Sequence, residues 1–478
     1  MKNSIRCLIL LVFFVFCLDS LAGVRSFDEL RSALDRGDDT IIIDAGVTIT
    51  VPENAPSLRV KRSTNVIRGA SGGAKPVLVS LNSSKPLFDI MAGADNISFD
   101  NLTLVGRLDS RQFIHAAILA NNISGLIVRN SIIRDFNHGV FAYGDIDNLG
   151  NWLIENNLIE NIRSKSIGLN RRLDQGAIAG SIVIRNNVIR RDARLPASRF
   201  NSESRAIAFD GGNVGLSIMD LRNTLIESNR IENLSIAFSR VKNMTIGRGN
   251  TFAANTVTFS EMIHVEELSE NIRIIGNLFE PGTLNPTQSL IYLIGSNRLD
   301  VSGNSVVAAG SLARRFVTTT RYMNDLRITN NNLSGLTITH NAKQIISVQS
   351  CGANDITVTG NTWKNGLGYK AYVRLGTFFW DIFDDLIVPT RSIEDLSRIQ
   401  APDQATFNAI VFDINENLYL TCPNSDCRGL AGTVGKFNGA STASQPVDTV
   451  AVPACGPERN FFGGLPRKFN YRGWTPTF

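Results

Sequence analysis

The stretch Ser260–Asn277, SEMIHVEELSENIRIIGN, sets His264 and Glu266 two residues apart in a short apolar run. In a β-strand alternate side chains share a face, so with Ile263 and Val265 turned inward, His264 and Glu266 project outward together. The same reading of IAFD at Ile207 projects Asp210, and Arg240 and Lys242 lie in the loop after the intervening strand. Two carboxylates with bases beside them support two chemistries. At about 6.5–9.5 Å apart they serve as acid and base of an inverting glycoside hydrolase. Alternatively they hold Ca²⁺, which neutralises a uronate while His264, Arg240 or Lys242 takes the proton α to the carboxylate. An ordinary solvated strand face carries the same residue types, so the pattern needs a scaffold that brings these distant positions together.

The second half of the stretch, ENIRIIGN, points to that scaffold. Near-copies occur as NISFDNLTL from Asn96, NISGLIVRNSII from Asn122, NLGNWLIENNLI from Asn148, SIVIRNNVI from Ser181, NRLDVSGNSV from Asn297 and NDITVTGNTW from Asn354. Each is a short alternating strand, an Asn or Gly turn and a second short strand. A further apolar strand precedes each copy. Taking one outward position from each gives Asp89, His115, Phe141, Gly168, Ala208, Ala237, His264, Tyr292, Thr318 and Ser347, spaced about 27 residues apart with one step of 40 after Gly168. A repeat of this period built only from short strands predicts an all-β, single-stranded right-handed parallel β-helix of about 10–12 coils. The regular leucines of a leucine-rich repeat are absent, and a propeller blade needs a longer unit. Ser26 with Glu29 three residues on reads as a capping box, and Phe27, Leu30 and Leu34 share a helical face; a short helix there caps the first coil. Asn130, Asn156, Asn186 and Asn330 share one repeat position with Gly276, Gly303 and Gly360, as expected of a left-handed bend, and stacked Asn amides can hydrogen-bond from coil to coil.

In this register Tyr143, Asn170, Asp210, Ser239, Tyr292, Thr318, Thr320 and Gln349 face outward with His264 and Glu266. They form two adjacent columns with neighbours about 4.8 Å apart, which sets Asp210 and Glu266 roughly 9–10 Å apart. The long step adds residues in a region that holds Arg171, Arg172, Arg190, Arg191, Arg194, Arg199 and Arg205. Solenoid insertions become loops on one face, and Arg forks pair with carboxylates or sulfates. An acidic polysaccharide is therefore the expected partner, bound by Tyr143, Asn170, Arg171, Arg172, Arg205 and Tyr292.

Residues 1–22 read as a secretory signal peptide: Lys2 and Arg6, the apolar run CLILLVFFVFC, then SLA. No later apolar run is long enough to span a bilayer, so a secreted or periplasmic monomer is expected. A net charge of +5 is too mild for a nucleic-acid partner. Cys351, Cys422, Cys427 and Cys455 remain after the signal and suggest two disulfides in an oxidising compartment. The repeat fades after Trp363, and 367–478 reads as a C-terminal cap or tail, with a small separate domain as the alternative.

The N-I-x-I-x-x-N-x-I unit, the exported start and the capping helix resemble the pectin-lyase-like superfamily over about residues 24–366. The resemblance implies a secreted polysaccharide-active protein, foremost a lyase acting by β-elimination on a uronate polymer. The superfamily also holds glycoside hydrolases with paired carboxylates and non-catalytic carbohydrate-binding proteins. SEMIHVEELSENIRIIGN resembles the acidic Ca²⁺-binding strand of chondroitinase-B-like lyases, which implies Glu261 or Glu266 as calcium ligands; Glu266 or Glu267 stands where that strand carries its catalytic Lys. Arg240-Val241-Lys242 is similar to the Arg-Ile-Lys motif of polygalacturonases, whose other motifs are absent.

Overall fold

The computed structural model describes residues 23–362, except 64, 145–148, 172–180, 202–203, 212–218, 254–260, 267–268, 283–288, 307–310, 314, 339–343, 352–355 and 360, together with strands at 371–377, 391–392, 410–413, 417–420, 434–437 and 447–451. Residues 1–22, expected to be a signal peptide, lie outside the described residues, as do Cys422, Cys427, Cys455 and most of 363–478.

Each coil contributes one strand to each of three walls. The coil from His138 runs His138–Gly144, Trp152–Glu155 and Leu158–Glu160. The next runs Lys165–Arg171, Ile182–Arg185 and Val188–Arg190, and each of its strands pairs in parallel with its counterpart one coil back. The chain is thus a right-handed parallel β-helix. The third wall alone stacks ten parallel strands, and parallel bridges Ser305–Asn332 and Asn332–Thr362 continue the stack.

The strands hold because their apolar parity is consistent. Ile167, Ile207, Ile236, Ile263, Ile291 and Val317 sit one above another in the first wall, and all are buried. Stacked Ile and Val suit this pleated surface. Phe99, Phe136, Phe209, Phe238, Phe252 and Phe279 fill the same continuous core.

The turns supply the second cohesive element. Asn130, Asn156, Asn186 and Asn330 adopt φ of 53–57°, and Gly276 and Gly303 take their place at φ 64°, so the expected left-handed bend is present. The stacked amides belong instead to the following residue. Asn157, Asn187, Asn229, Asn250, Asn277, Asn304, Asn331 and Asn361 form a buried ladder in which each Nδ2 donates to the next Oδ1 at 2.8–3.0 Å. The bend turns this residue inward, where its amide also donates to backbone carbonyls such as those of Val128, Ile154 and Ile184.

The helix Phe27–Arg36 covers the first coil. Ser26 Oγ accepts the Glu29 N–H at 3.2 Å, and Gly37 at φ 74° ends the helix. Leu30, Ala33 and Leu34 are buried against the core end. Glu29 accepts the Arg25 N–H at 2.7 Å rather than that of Ser26, so the capping box is displaced by one residue. At the other end, Ala371–Thr377 adds a parallel rung to the first wall, followed by an antiparallel pairing with Arg391–Ser392.

One register expectation fails. Asp89 pairs with Leu119, and Leu119 with Phe141, so His115 is not in the outward column. The coil between Asp89 and Leu119 is longer than the mean repeat and the next one shorter, and a constant period misplaces His115 by four residues. The ring is fully buried ahead of its strand and accepts the Asn137 N–H at Nδ1, 3.2 Å.

Candidate functional site

From Phe141 and Tyr143 onward the two outward columns stand as expected. One runs Phe141, Gly168, Ala208, Ala237, His264, Tyr292, Thr318. The other runs Tyr143, Asn170, Asp210, Ser239, Glu266. All five residues of the second column are half-buried, so they form a continuous polar strip, whereas Phe141, Gly168, Ala208 and His264 in the first are buried. Ile294 follows Glu266 and ends the polar strip. The side chains of Thr320 and Gln349, and Arg172 altogether, lie outside the described residues.

His264 is only 6 % exposed and sits between two carboxylates. Its Nδ1 is 3.0 Å from Glu261 Oε1 and its Nε2 is 3.1 Å from Glu266 Oε2. Burial alone would strip its proton, but the charges and hydrogen bonds of Glu266 and Glu261 together outweigh that and push its pKa up to about 9. At neutral pH it is therefore an imidazolium that donates from both nitrogens. Glu261, 3 % exposed, also lies 3.9 Å from Arg205 Nη2. Glu266 keeps 23 % of its side chain exposed and is the solvent-facing end of this chain of charges. Tyr292 meets the imidazole edge-on, with centroids 5.5 Å apart at 71°. His264 was expected to be an exposed base; strand parity turned it the right way but could not show Glu261 closing over it from outside the strand.

Arg240 is buried, and Lys242 departs from expectation. Arg240 occupies the corner after Ser235–Ser239 at φ 52° and is buried. Its N–H approaches the Glu266 carbonyl at 3.4 Å and its own carbonyl accepts the Met219 N–H at 2.8 Å. A Cβ on Gly211 would lie 2.1 Å from the Arg240 carbonyl oxygen, so only glycine fits in the coil beneath. Arg240 is therefore buried at the corner, with its backbone against that of Glu266. Past that left-handed corner, Lys242 belongs to Val241–Ile246 on the second wall. It lies 3.9 Å from the buried Asp220 carboxylate, which also binds Arg222 Nε at 2.9 Å and Asn243 Nδ2 at 2.6 Å.

Several arginines of the arginine-rich region have partners within the chain. The long step is taken up mainly by 191–204 between the third and first walls. Arg190 pairs with Glu160 at 2.9 Å, Arg194 with Asp192 at 2.7 Å, and the Arg191 guanidinium lies 3.9 Å over the Phe200 ring. Arg171, at the end of Lys165–Arg171, is 1 % exposed and pairs in register with Gly144. The acidic-partner expectation drew on these arginines, and composition could not show how they are used.

Glu261 and Glu266 do not fit the expected calcium. They face each other across an imidazolium whose charge and two N–H groups occupy the position a cation would take. Among the described residues no three His, Cys, Asp or Glu side chains are grouped to hold a metal.

Neither known protein families nor curated proteins match the sequence. Solved structures match the fold. The surface adhesin PfbA of Streptococcus pneumoniae superimposes with a TM-score of 0.53 at 14% identity, over 77% of this chain and 92% of the adhesin. A second PfbA structure gives 0.51 at 14%, over 74% and 97%. A PL6 alginate lyase complexed with a trisaccharide gives 0.49 at 15%, over 74% and 81%. At such identities the likeness establishes a shared parallel β-helix and carries no chemistry. Among the described residues no helix is long and apolar enough to cross a membrane.

Proposed function

We propose that the chain is a secreted polysaccharide-active protein that lays a glycan along the strip Tyr143–Asn170–Asp210–Ser239–Glu266 and breaks it by hydrolysis at Glu266. The observation that carries this is the clamped His264. An imidazolium cannot take a proton from a sugar; here it hydrogen-bonds Glu266 at 3.1 Å and fixes that carboxylate in place, as a general base requires. Asp210 lies two rungs away on the same strip, so the two backbones are roughly 9–10 Å apart. That leaves room for a water between the carboxylates, the arrangement of an inverting hydrolase. Elimination on a uronate calls for a cation over the substrate carboxylate, and Lys242 is engaged at Asp220 on the second wall. A neutral or mildly acidic polymer suits the strip better than a strongly anionic one.

The test is a panel of alginate, pectate, chondroitin, dermatan and neutral glucans, reading both reducing ends and the absorbance of unsaturated uronates. Hydrolysis yields reducing ends without that absorbance, and Glu266→Gln lowers the rate by about 10²–10⁴-fold. Unsaturated products would replace hydrolysis with β-elimination. Binding with neither product would leave a non-catalytic carbohydrate-binding protein.

A further inference from the structure

At the far end of the polar strip the wall carries an aromatic cluster that the hydrolytic chemistry does not use. Phe113 projects from the segment before Ala116–Ala120 and is 43% exposed, beside Ile114 at 42%. Its ring stands edge-on to Tyr143 at 4.6 Å and 72°, to Phe141 at 5.5 Å and 77°, and to His138 at 5.5 Å and 73°. Beneath it His138 stacks on Phe141 at 3.9 Å and 6°. The Phe113 segment is held in place: Asn137 Nδ2 donates to the Gln112 carbonyl at 2.9 Å, the Asn137 N–H donates to His115 Nδ1, and the His138 N–H donates to the His115 carbonyl at 3.0 Å. Asn121 Oδ1 fixes Tyr143 by accepting its N–H at 2.8 Å.

We propose that Phe113 and Tyr143 form a preformed platform for the apolar face of a sugar ring, a distal binding subsite for the same glycan that reaches Glu266. This rests on the proposed function. A sugar ring presents C–H groups on its faces and hydroxyls around its edge. The platform offers exposed aromatic surface, with Asn121 and Asn170 half-buried at its margin. Exposed, rigid aromatics grouped in this way mark a binding surface, and a platform already held in place binds without an ordering cost. Tyr143 belongs both to the cluster and to the strip, so platform and strip are continuous. Four rungs separate Tyr143 from Glu266, about 19 Å at the usual strand spacing. A disaccharide cannot bridge that span, so the subsite selects for chain length.

The experiment uses calorimetry of the whole chain with hexamers and dimers of galacturonate, mannuronate and β-glucan. At least one hexamer is expected to bind. Phe113→Ala is expected to weaken that hexamer about five- to tenfold, Phe113→Trp to restore it, and dimer binding to be unchanged in both. Equal hexamer affinity for wild type and Phe113→Ala overturns the platform, as does equal weakening of dimer and hexamer. The functional reading survives either result if Glu266→Gln still removes turnover. If no hexamer binds the wild type, both fall. A concentration-dependent dimer in sedimentation that Phe113→Ala abolishes would assign the patch to a second copy of the chain instead.

Discussion

His264 and two other buried histidines give the protein opposite responses to acid and alkali. Unfolded, a histidine titrates near 6.5. Folded, His264 titrates at about 9, so between those values the native state keeps a proton that the unfolded chain has lost. Its contribution to stability is complete below pH 6.5 and is lost as pH rises through about 9. Burial holds His115 at about 4 and, with nearby Lys165, His138 at about 3. Their folded values are depressed, so their penalty is absent above pH 6.5 and grows as pH falls through that value towards 3. Stability should therefore peak near pH 6.5 in thermal melts across pH 4–10. His264→Gln is expected to flatten the alkaline limb and His138→Phe the acid limb. An alkaline limb unchanged in His264→Gln would contradict the clamped imidazolium.

Among the elements, the asparagine ladder holds the corners and the strands hold the walls. Asn277 donates to Asn304 Oδ1 at 3.0 Å and to the Ile246 carbonyl at 3.0 Å, and accepts from Asn250 Nδ2 at 2.9 Å. Asn277→Ala removes all three in a dry interior, at about 1–3 kcal/mol for each partner left unsatisfied. A melting-temperature loss of several degrees is expected, against almost none for the exposed neighbour Gly276→Asn, since asparagine tolerates that left-handed bend. The strands could be read in the sequence because their parity of two survives any change in loop length. That parity also put Asp210, His264, Glu266 and Tyr292 on one face. What turn geometry controls was not legible. The left-handed corner at Arg240 carries Lys242 to another wall, uneven coil lengths displaced His115, and the ladder proved to lie one residue beyond the bends. Glu261, which completes the charge clamp, sits outside any alternating run; the resemblance marked it as a calcium ligand, and only the fold shows it hydrogen-bonded to His264.

As a whole the molecule is a stack in which each coil touches only its neighbours, so its ends matter more than those of a globular core. Leu30 and Leu34 close the first end against Ile41, Ile43 and Leu58. Leu34→Asp should expose that end and its unpaired strand edge, and the expected result is self-association in size-exclusion chromatography with little change at the distant Glu266 site. The long connection at 191–204 behaves in the opposite way. The ladders on either side of it stay in register, with Ile189 opposite Ile231 and Ile167 opposite Ile207, and Asn187 still donates to Asn229 at 3.0 Å. Chain length at that vertex is invisible to the stack: each doubling of a flexible loop costs only about 0.6 kcal/mol in closure entropy. Lineages of this fold can thus lengthen, shorten or replace whole segments there, trying out new surface at the edge where the chain enters the first wall while the frame beneath keeps its dimensions.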